Sequence, residues 1–373
     1  MDHRRSQANP GKTPSGFRPR AAASTGPGPL ERVAENDDPD TRPRLSVVVI
    51  AYNEEDRIEA CLESVIAACR TVGPFEIVLV DSNSTDRTVE LAADYPITVL
   101  RITSDDLTTP GAGRYVGTLA TSAGTILFVN GDMTLTESWL PRALDYLDAN
   151  DDVAAVEGCL VPSERTEVSE VDALGSLVLC DADALAEVGG FDPYLRSNEA
   201  IDVGLQLKRA GYRLVRLPEL SVRHHDDGTV AEPLRRWRRG HYFGSGQLLR
   251  KWRDTPSVLR HLLRRQRYEF AILLWLAVGV VSLTAAPLSV AWVLLSLVVF
   301  TTLALKLGFG GAASLLVAKS FGAVGLVVGL TQPTPTGETF PFSAVEVVSA
   351  GRKLNGTDRT EATGIDGDTT ADP

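Results

Sequence analysis

Three acidic side chains each follow a short apolar run that is typical of a buried β-strand. Glu54 follows LSVVVIA, Asp81 follows FEIVLV, and Asp132 ends the loop after ILFV. Because the carboxyl ends of neighbouring parallel strands lie along one edge of a sheet, the three carboxylates are expected at one crevice. Carboxylates accept hydrogen bonds from nucleobase N–H groups and ribose hydroxyls, and they coordinate divalent cations. The pattern therefore favours a nucleotide site in which Asp132 faces a metal ion or a phosphate.

Each of these acids also has a simpler structural interpretation. Asp is common in the turns that follow strands, and acidic residues are favoured at helix N-termini. A dinucleotide site is not indicated, because Tyr52, Asn53 and Glu54 stand where a glycine-rich turn would be needed. The arrangement of the remaining elements decides between these interpretations.

Strand-like and helix-like segments alternate through the first part of the chain. Periodic apolar positions predict helices between successive β-branched runs, and this alternation indicates an α/β domain with a doubly wound, mostly parallel sheet. A helix opened by Asn198 is predicted from Glu199 to Ala210 and ends at Gly211. Strands are predicted at residues 45–51, 75–80, 97–102, 125–129, 153–156, 177–180, 214–217 and 221–223.

The composition limits the partners and the compartment. The 373-residue chain carries a net charge of −11, and only six of its 37 basic residues are Lys, which argues against nucleic acid as a partner. The four cysteines form no CxxC pair, so we expect buried thiols in a reducing compartment. Residues 1–43 are rich in Pro, Gly, Ser and Arg and are predicted to be a disordered leader.

The second part of the chain predicts a membrane anchor. Between Glu232 and Arg267, eleven basic residues are mixed with Trp and Tyr against two acids, which favours an interfacial segment at residues 231–268. Residues 269–331 are almost uncharged and contain two or three candidate transmembrane helices, 270–286, 288–307 and 312–330. Basic residues are retained on the cytoplasmic side of a membrane. The basic segment before the first candidate helix therefore predicts that the preceding domain lies in the cytoplasm. Residues 332–373 are predicted to be a polar disordered tail, outside the cell with three spans and inside with two.

Five motifs resemble the family 2 glycosyltransferases, which are inverting enzymes with the GT-A fold. The resemblance covers roughly Arg44 to His225 and assigns residues 44–230 to the GT-A domain. The motifs are SVVVIAYNEE (46–55), EIVLVDSNSTDRT (76–88), GAGRYVG (111–117), FVNGDM (128–133) and VGGFDPYLRSNEAID (188–202).

The resemblance implies a role for each motif. Asn53, Glu54 and Asp81 would hold the nucleoside of a UDP- or GDP-linked sugar, Arg114 would lie near the diphosphate, and Asp132 would bind Mg²⁺ or Mn²⁺. The neighbouring donor-site positions are Ala51, Tyr52, Asn130 and Gly131.

Two positions depart from the family pattern. Asn130 replaces the first Asp of the usual Asp-X-Asp metal loop, although its carbonyl oxygen can still act as a ligand. Ala200 replaces the Asp that usually serves as base, so Glu199 is the expected base, with Asp202 as partner or substitute. His224, after the last strand, is a candidate to complete the metal shell or to contact the leaving diphosphate.

The sequence therefore predicts a multi-pass membrane glycosyltransferase with a cytoplasmic catalytic domain. Its acceptor would be a polyprenyl or dolichyl phosphate or a lipid-linked glycan. A processive polysaccharide synthase is an alternative, although only Arg-Arg-Trp-Arg-Arg stands where a Gln-X-X-Arg-Trp motif is usual. A nucleotidyltransferase lacks support because no glycine-rich basic loop follows the first strand, and a catalytically inactive GT-A binding protein is the non-enzymatic alternative.

Overall fold

A computed structural model describes residues 42–162, 166–224, 232–332, 335, 337–351 and 354. The first elements are β1 (Leu45–Ala51), α1 (Ile58–Cys69), β2 (Phe75–Asp81), α2 (Thr88–Ala93), β3 (Thr98–Ile102), α3 (Pro110–Leu119) and β4 (Thr125–Asn130). They are followed by β5 (Met133–Leu135), α4 (Trp139–Asp148), β6 (Val153–Cys159), β7 (Ser169–Glu170), β8 (Val178–Asp181), α5 (Ala182–Glu187), α6 (Glu199–Ala210), β9 (Arg213–Leu220) and β10 (Val222–His224).

The predicted α/β fold is confirmed, with a nine-stranded sheet in the order β11-β3-β2-β1-β4-β8-β6-β9-β7, in which β11 is Val345–Ser349. Strands β3, β2, β1 and β4 run parallel, whereas β8 runs antiparallel to both β4 and β6. The sheet is therefore mixed rather than mostly parallel. A separate two-stranded sheet pairs β5 with β10.

Strand β1 lies at the centre of the domain because its side chains are apolar on both faces. Val47 and Val49 join one buried cluster, and Val48 joins the cluster on the opposite face. Helix α3 lies directly on this strand, since a Cβ at Gly113 would stand 2.9 Å from the Ile50 side chain. The glycines of the GAGRYVG motif thus permit close helix–strand packing.

In the described part of the chain, five further α-helices follow the α/β domain. They are α7 (Glu232–Arg238), α8 (Gly244–Lys251), α9 (Pro256–Arg265), α10 (Arg267–Ser282) and α11 (Ala286–Thr331). Gly308 interrupts α11 with φ +75°, a value that favours glycine, and divides it into two helical segments. In the described part of the chain, α11 is the one helix that is long and apolar enough to cross a membrane by the criteria of length and composition.

The prediction of a disordered tail over residues 332–373 is wrong where the structure describes this region. Val345–Ser349 forms β11, which pairs antiparallel with β3 at the edge of the large sheet. A run of five residues carries little signal by itself, and its partner strand lies more than 240 residues earlier in the sequence.

Candidate functional site

The loops after β1 and β2 are joined by hydrogen bonds between side chains and backbone. Asn53, in a left-handed conformation with φ +53°, accepts a hydrogen bond at Oδ1 from the Thr85 backbone N–H at 2.8 Å. Its own backbone N–H donates to Ser84 Oγ, also at 2.8 Å. The backbone N–H of Glu54 donates to Thr88 Oγ1 at 2.7 Å. These contacts fix the position of the Tyr52–Glu54 turn beside the end of β2.

The loop after β4 lies against the same edge of the sheet. The Gly131 backbone N–H donates to the Ile50 carbonyl at 2.9 Å. A Cβ at Gly131 would stand 3.2 Å from the Ala51 Cβ, so a larger residue would press this loop away from β1. The close approach brings Asp132 to the turn that carries Glu54.

The negative charge of Asp132 acts on the carboxyl group of Glu54. Burial, together with the negative charge of Asp132, raises the pKa of Glu54 to about 7. Arg57, whose Nη1 lies 3.6 Å from Glu54 Oε2, opposes this shift. Two carboxylates that repel each other at a strand edge form a site to which a cation is attracted.

Asp81 lies behind this edge rather than at its surface. Its side chain is fully buried, and both carboxylate oxygens accept hydrogen bonds from Ser84, one from the backbone N–H at 2.8 Å and one from the hydroxyl. Burial raises the pKa of Asp81. In this conformation Asp81 holds the turn that supports Asn53, and its predicted contact with the nucleoside stays a prediction.

Arg114 joins the donor side of the domain to the acceptor side. Its guanidinium, only 1% exposed, forms an ion pair with Glu199 and donates to Asn130 Oδ1 at 2.9 Å and to the Ser176 carbonyl at 3.0 Å. The guanidinium also lies 5.7 Å from the centre of the Phe191 ring. The resemblance placed Arg114 near the diphosphate. The structure places it beneath Asn130, between the loop after β4 and the start of α6.

Glu199 begins α6 and is buried, with 7% exposure, and one of its carboxylate oxygens is bound by Arg114. The preceding Asn198 has φ +64°. Its side-chain amide stands 3.3 Å from Ser245 Oγ, in α8. The start of α6 is therefore held by Arg114 on one side and by α8 on the other.

Asp202 faces away from this crevice. Its side chain is fully buried and accepts from Trp252 Nε1 at 2.7 Å and from Lys251 Nζ at 2.8 Å. Lys251 Nζ also contacts Asp192 at 2.7 Å. The structure therefore brings together Glu54, Asn130, Asp132 and Glu199 but not Asp202, which anchors α8 to α6.

A residue that the sequence did not indicate also reaches the site. The Arg239 guanidinium lies 4.1 Å from the centre of the Tyr52 ring, and the charges of Arg235 and Arg239 act on Glu54. The sequence analysis assigned this basic cluster to the membrane surface. The spacing of the basic residues did not indicate that the end of α7 lies over the turn after β1.

The prediction that Asp132 and His224 bind a metal ion stays a prediction. The register of the β5–β10 pair sets His224 opposite Met133, the residue after Asp132, whereas the His224 side chain lies outside the described part of the structure. Among the described residues, no group of three or more His, Cys, Asp or Glu side chains could hold a metal ion. Asp132 and Glu54 offer two carboxylates, which suits a cation that also binds substrate phosphates.

Comparison with known proteins decides the family. Residues 46–172 match the family profile described as Glycosyl transferase family 2, and this stretch contains the loops after β1, β2 and β4. Residues 46–172 therefore form a family 2 glycosyltransferase domain. The profile match ends before α6 and does not include Glu199.

Two curated relatives of this glycosyltransferase differ in the extent of their similarity. Glycosyltransferase AglE of Haloferax volcanii is 24% identical over 260 residues, which cover 64% of this chain and 82% of that protein. An undecaprenyl-phosphate 4-deoxy-4-formamido-L-arabinose transferase of Pectobacterium carotovorum is 47% identical over 51 residues. That alignment spans 13% of this chain and 16% of the relative, so it compares only a short segment.

A solved structure agrees with the GT-A fold. The mannosyltransferase PcManGT of Pyrobaculum calidifontis, in complex with GDP-Man and Mn²⁺, superimposes with a TM-score of 0.55 at 18% identity. The superposition covers 81% of this chain and 92% of that protein. The predicted GT-A fold is thereby confirmed, with a long apolar helix near the end of the described chain.

Proposed function

We propose that this glycosyltransferase transfers a sugar, with inversion, from a UDP- or GDP-linked donor to an acceptor at the surface of a membrane. The observation that carries the proposal is the meeting of Glu54 and Asp132 at the strand edge of a family 2 domain, directly beside the basic helix α7. The carboxylates accept the hydroxyls of the donor, and the arginines attract its diphosphate.

A divalent cation, Mg²⁺ or Mn²⁺, fits the donor site. Asp132 would hold it, with His224 as a candidate second ligand, and it would neutralise the charge that develops on the leaving diphosphate. Asn130 is directed elsewhere, because its side-chain oxygen accepts from Arg114. PcManGT, which has the same fold, was observed with Mn²⁺.

The reaction is a single displacement. An acceptor oxygen bonds to the anomeric carbon while the bond to the diphosphate breaks, and the acceptor proton passes to a base when the acceptor is a hydroxyl. Glu199 is the base in this proposal, because Arg114, which also binds Asn130, fixes the direction of its carboxylate. A phosphate acceptor is already an anion and needs no base, and the absence of an acid at Ala200 favours such an acceptor.

The acceptor is proposed to be lipid-linked, either a polyprenyl or dolichyl phosphate or a lipid-linked glycan. Trp237, in α7, stacks on Phe321 of the apolar helix α11 at 5.0 Å, while Arg239, directly after α7, stacks on Tyr52. The donor turn and the apolar helix are thus separated by only one short helix. An acceptor held in a membrane beside α11 would present its polar end near the site.

The experiment that tests this function uses the purified full chain in liposomes. Unfolding temperatures are measured with UDP, GDP, CDP and their sugars, each with Mn²⁺ or Mg²⁺. A donor present at a hundred times its dissociation constant should stabilise the protein by about 2.7 kcal/mol. The stabilising donor, with a radiolabelled sugar, is then incubated with polyprenyl phosphate in the same liposomes.

We expect label to enter the lipid fraction as a single-sugar product in the presence of metal. A polymeric product would instead identify a processive synthase. Donor binding without transfer to any lipid acceptor would favour a GT-A binding protein, and the absence of stabilisation by every nucleotide-sugar would contradict the proposal.

A further inference from the structure

Residues 337–351 and Leu354 are part of the catalytic domain, although they follow the apolar helices in the sequence. Strand β11 pairs with β3, and Leu354 exchanges two backbone hydrogen bonds with Phe75 at 2.8 and 3.0 Å. Phe340, 4% exposed, packs against Tyr115 of α3 with ring centres 5.6 Å apart. This segment therefore lies on the same side of any membrane as β1–β10.

This position restricts the path of the chain between the two parts of the domain. A sheet whose strands share hydrogen bonds cannot be divided by a lipid bilayer, because its backbone groups would lose their partners in the hydrocarbon. The chain between Arg267 and Thr331 must therefore cross the membrane an even number of times. Three crossings, which the sequence left open, do not fit.

Helix α10 and the first half of α11 form an antiparallel hairpin with an apolar surface. Trp275 stacks on Trp292 at 5.8 Å, and Ser289 Oγ donates to the Ser282 carbonyl at 2.9 Å. The outer face exposes large apolar side chains, with Leu305 84% and Leu283 75% exposed. Exposure of such a surface to water is unfavourable, whereas its burial in the hydrocarbon of a bilayer is favourable.

The lengths of the hairpin helices agree with two crossings. Helix α10 has 16 residues, but its uncharged part begins at Phe270, after Arg267 and Glu269. The uncharged residues 270–285 before α11 number 16, close to the lower end of the about 17–25 residues of a membrane span. The first half of α11 runs from Ala286 to the break at Gly308 and falls within that range. Residues 270–305 contain no charged side chain.

The charges at the ends of the hairpin define its orientation. Arg264, Arg265 and Arg267 precede or begin α10, and Lys306 ends the first half of α11, whereas the turn around Thr284 has no charge. Basic residues are retained on the cytoplasmic side of a membrane protein. The ends of the hairpin, and the catalytic domain with them, are thus placed in the cytoplasm.

The second half of α11 packs on protein rather than crossing the bilayer. Lys319 Nζ lies 2.9 Å from Glu269 Oε1, which pairs the charge near its middle with the start of α10. A Cβ at Gly325 would stand 2.5 Å from the Tyr242 side chain, and one at Gly329 would overlap the Phe243 carbonyl oxygen. Such backbone contact requires that this half of α11 lie directly on the segment that leads into α8.

We propose that the described part of the chain crosses the membrane only through the hairpin of α10 and residues 286–307, with the turn around Thr284 on the outer side. Residues 309–331 then return along the cytoplasmic domain and deliver β11 to its sheet. This inference rests on the membrane attachment in the proposed function, but it does not depend on the donor, the acceptor or catalysis.

Single cysteines in the full chain test this topology with a membrane-impermeant maleimide. The four native cysteines are buried, so their background labelling is expected to be low. Thr284→Cys probes the turn, Glu346→Cys probes β11, and Asp151→Cys is a matched exposed control after α4. Labelling is compared between intact cells and lysed cells.

We expect Thr284→Cys to be labelled in intact cells, and Glu346→Cys and Asp151→Cys to be labelled only after lysis. Labelling of Glu346→Cys but not Asp151→Cys in intact cells would mean an odd number of crossings and would overturn the proposal. Labelling of Thr284→Cys only after lysis would also overturn it, because the hairpin would then not cross. An enzyme inactive with every donor would leave these patterns unchanged, so this test and the test of function fail separately.

Discussion

Arg114 and Glu199 form a buried ion pair that connects the helix lying on β1 to the first residue of the acceptor-side helix α6. The same guanidinium binds Asn130, in the loop that presents Asp132. One side chain therefore determines the distance between the donor edge and the candidate base. We propose that Arg114 is a positioning residue, whereas its place near the diphosphate stays a prediction.

Replacing Arg114 should have a large effect on stability. Arg114→Met leaves Glu199 without its partner in a buried site, and such a loss typically costs about 3–5 kcal/mol. Chemical denaturation of the detergent-solubilised protein measures the change. Arg142→Met is the control, because Arg142 pairs with Glu219 on the surface with 67% of its side chain exposed, and we expect less than about 1 kcal/mol there. Equal effects of the two variants would contradict the positioning role.

The two carboxylates of α6 should respond differently to amide substitution. Glu199→Gln keeps the shape but cannot accept a proton, so turnover with a hydroxyl acceptor should decrease by a factor of about 10² to 10⁴ at nearly normal donor affinity. Asp202→Asn should lower the unfolding temperature while turnover per folded molecule stays close to that of the wild type. If Asp202→Asn abolishes turnover and Glu199→Gln does not, the roles are reversed. If both keep turnover, the acceptor is a phosphate.

Glu54 should make stability depend on pH. Its pKa of about 7 lies above the value of 4.5 of an exposed Glu, so the folded protein holds the proton more tightly. The contribution of Glu54 to the free energy of unfolding is therefore full below pH 4.5 and is lost as the pH rises through 7. Because the side chain is 21% exposed, solvent reduces the effect to about 1–2 kcal/mol.

Thermal unfolding of Glu54→Gln, which stays neutral, measures this contribution. We expect the variant to match the wild type at pH 5 and to exceed its unfolding temperature at pH 8. Glu59→Gln, an exposed change in the first turn of α1, should follow the wild type at both pH values. If the wild type instead has the higher unfolding temperature at pH 8, the Glu54 carboxylate is stabilised by its arginine neighbours.

The glycine contacts of α11 predict an effect of the apolar helix on the acceptor side. Gly329→Leu forces the helix away from the backbone at Phe243, and α8, which holds the Ser197–Glu199 region, should move with it. We expect a lower unfolding temperature and reduced turnover. A Cβ at Gly310, in the same helix, would meet no atom within 4 Å, so Gly310→Leu is the control. Unchanged turnover in Gly329→Leu would show that the position of the apolar helix α11 does not affect catalysis.

The sequence predicted those elements whose signal is local. Strand β1 and helix α6 have the predicted limits, because an uninterrupted β-branched run and an Asn-opened, Gly-closed helix are determined by neighbouring residues. The meeting of Glu54 and Asp132 followed from the rule that parallel strands end at one edge. Helix α4, within the same domain, was not predicted although it contains the buried Trp139.

Contacts between distant residues could not be predicted. Asp202 has the type and spacing of a catalytic partner, but Lys251 and Trp252, some fifty positions later, make it a buried anchor. The basic cluster before the apolar helices suggested a membrane surface, yet Arg239 stacks on Tyr52. Strand β11 pairs with β3 only because the chain returns from the hairpin to the sheet. No local sequence pattern predicts this return.

The central claim is that Asp132 at the strand edge holds the donor for transfer to a membrane acceptor. The direct measurement is metal-dependent transfer of radiolabelled sugar to lipid in proteoliposomes by the wild type, Asp132→Ala and the exposed control Asp151→Ala. We expect transfer by the wild type and by Asp151→Ala, and loss of both transfer and metal-dependent donor binding in Asp132→Ala. Unchanged donor affinity and metal dependence in Asp132→Ala would reduce Asp132 to a turn residue and contradict this account.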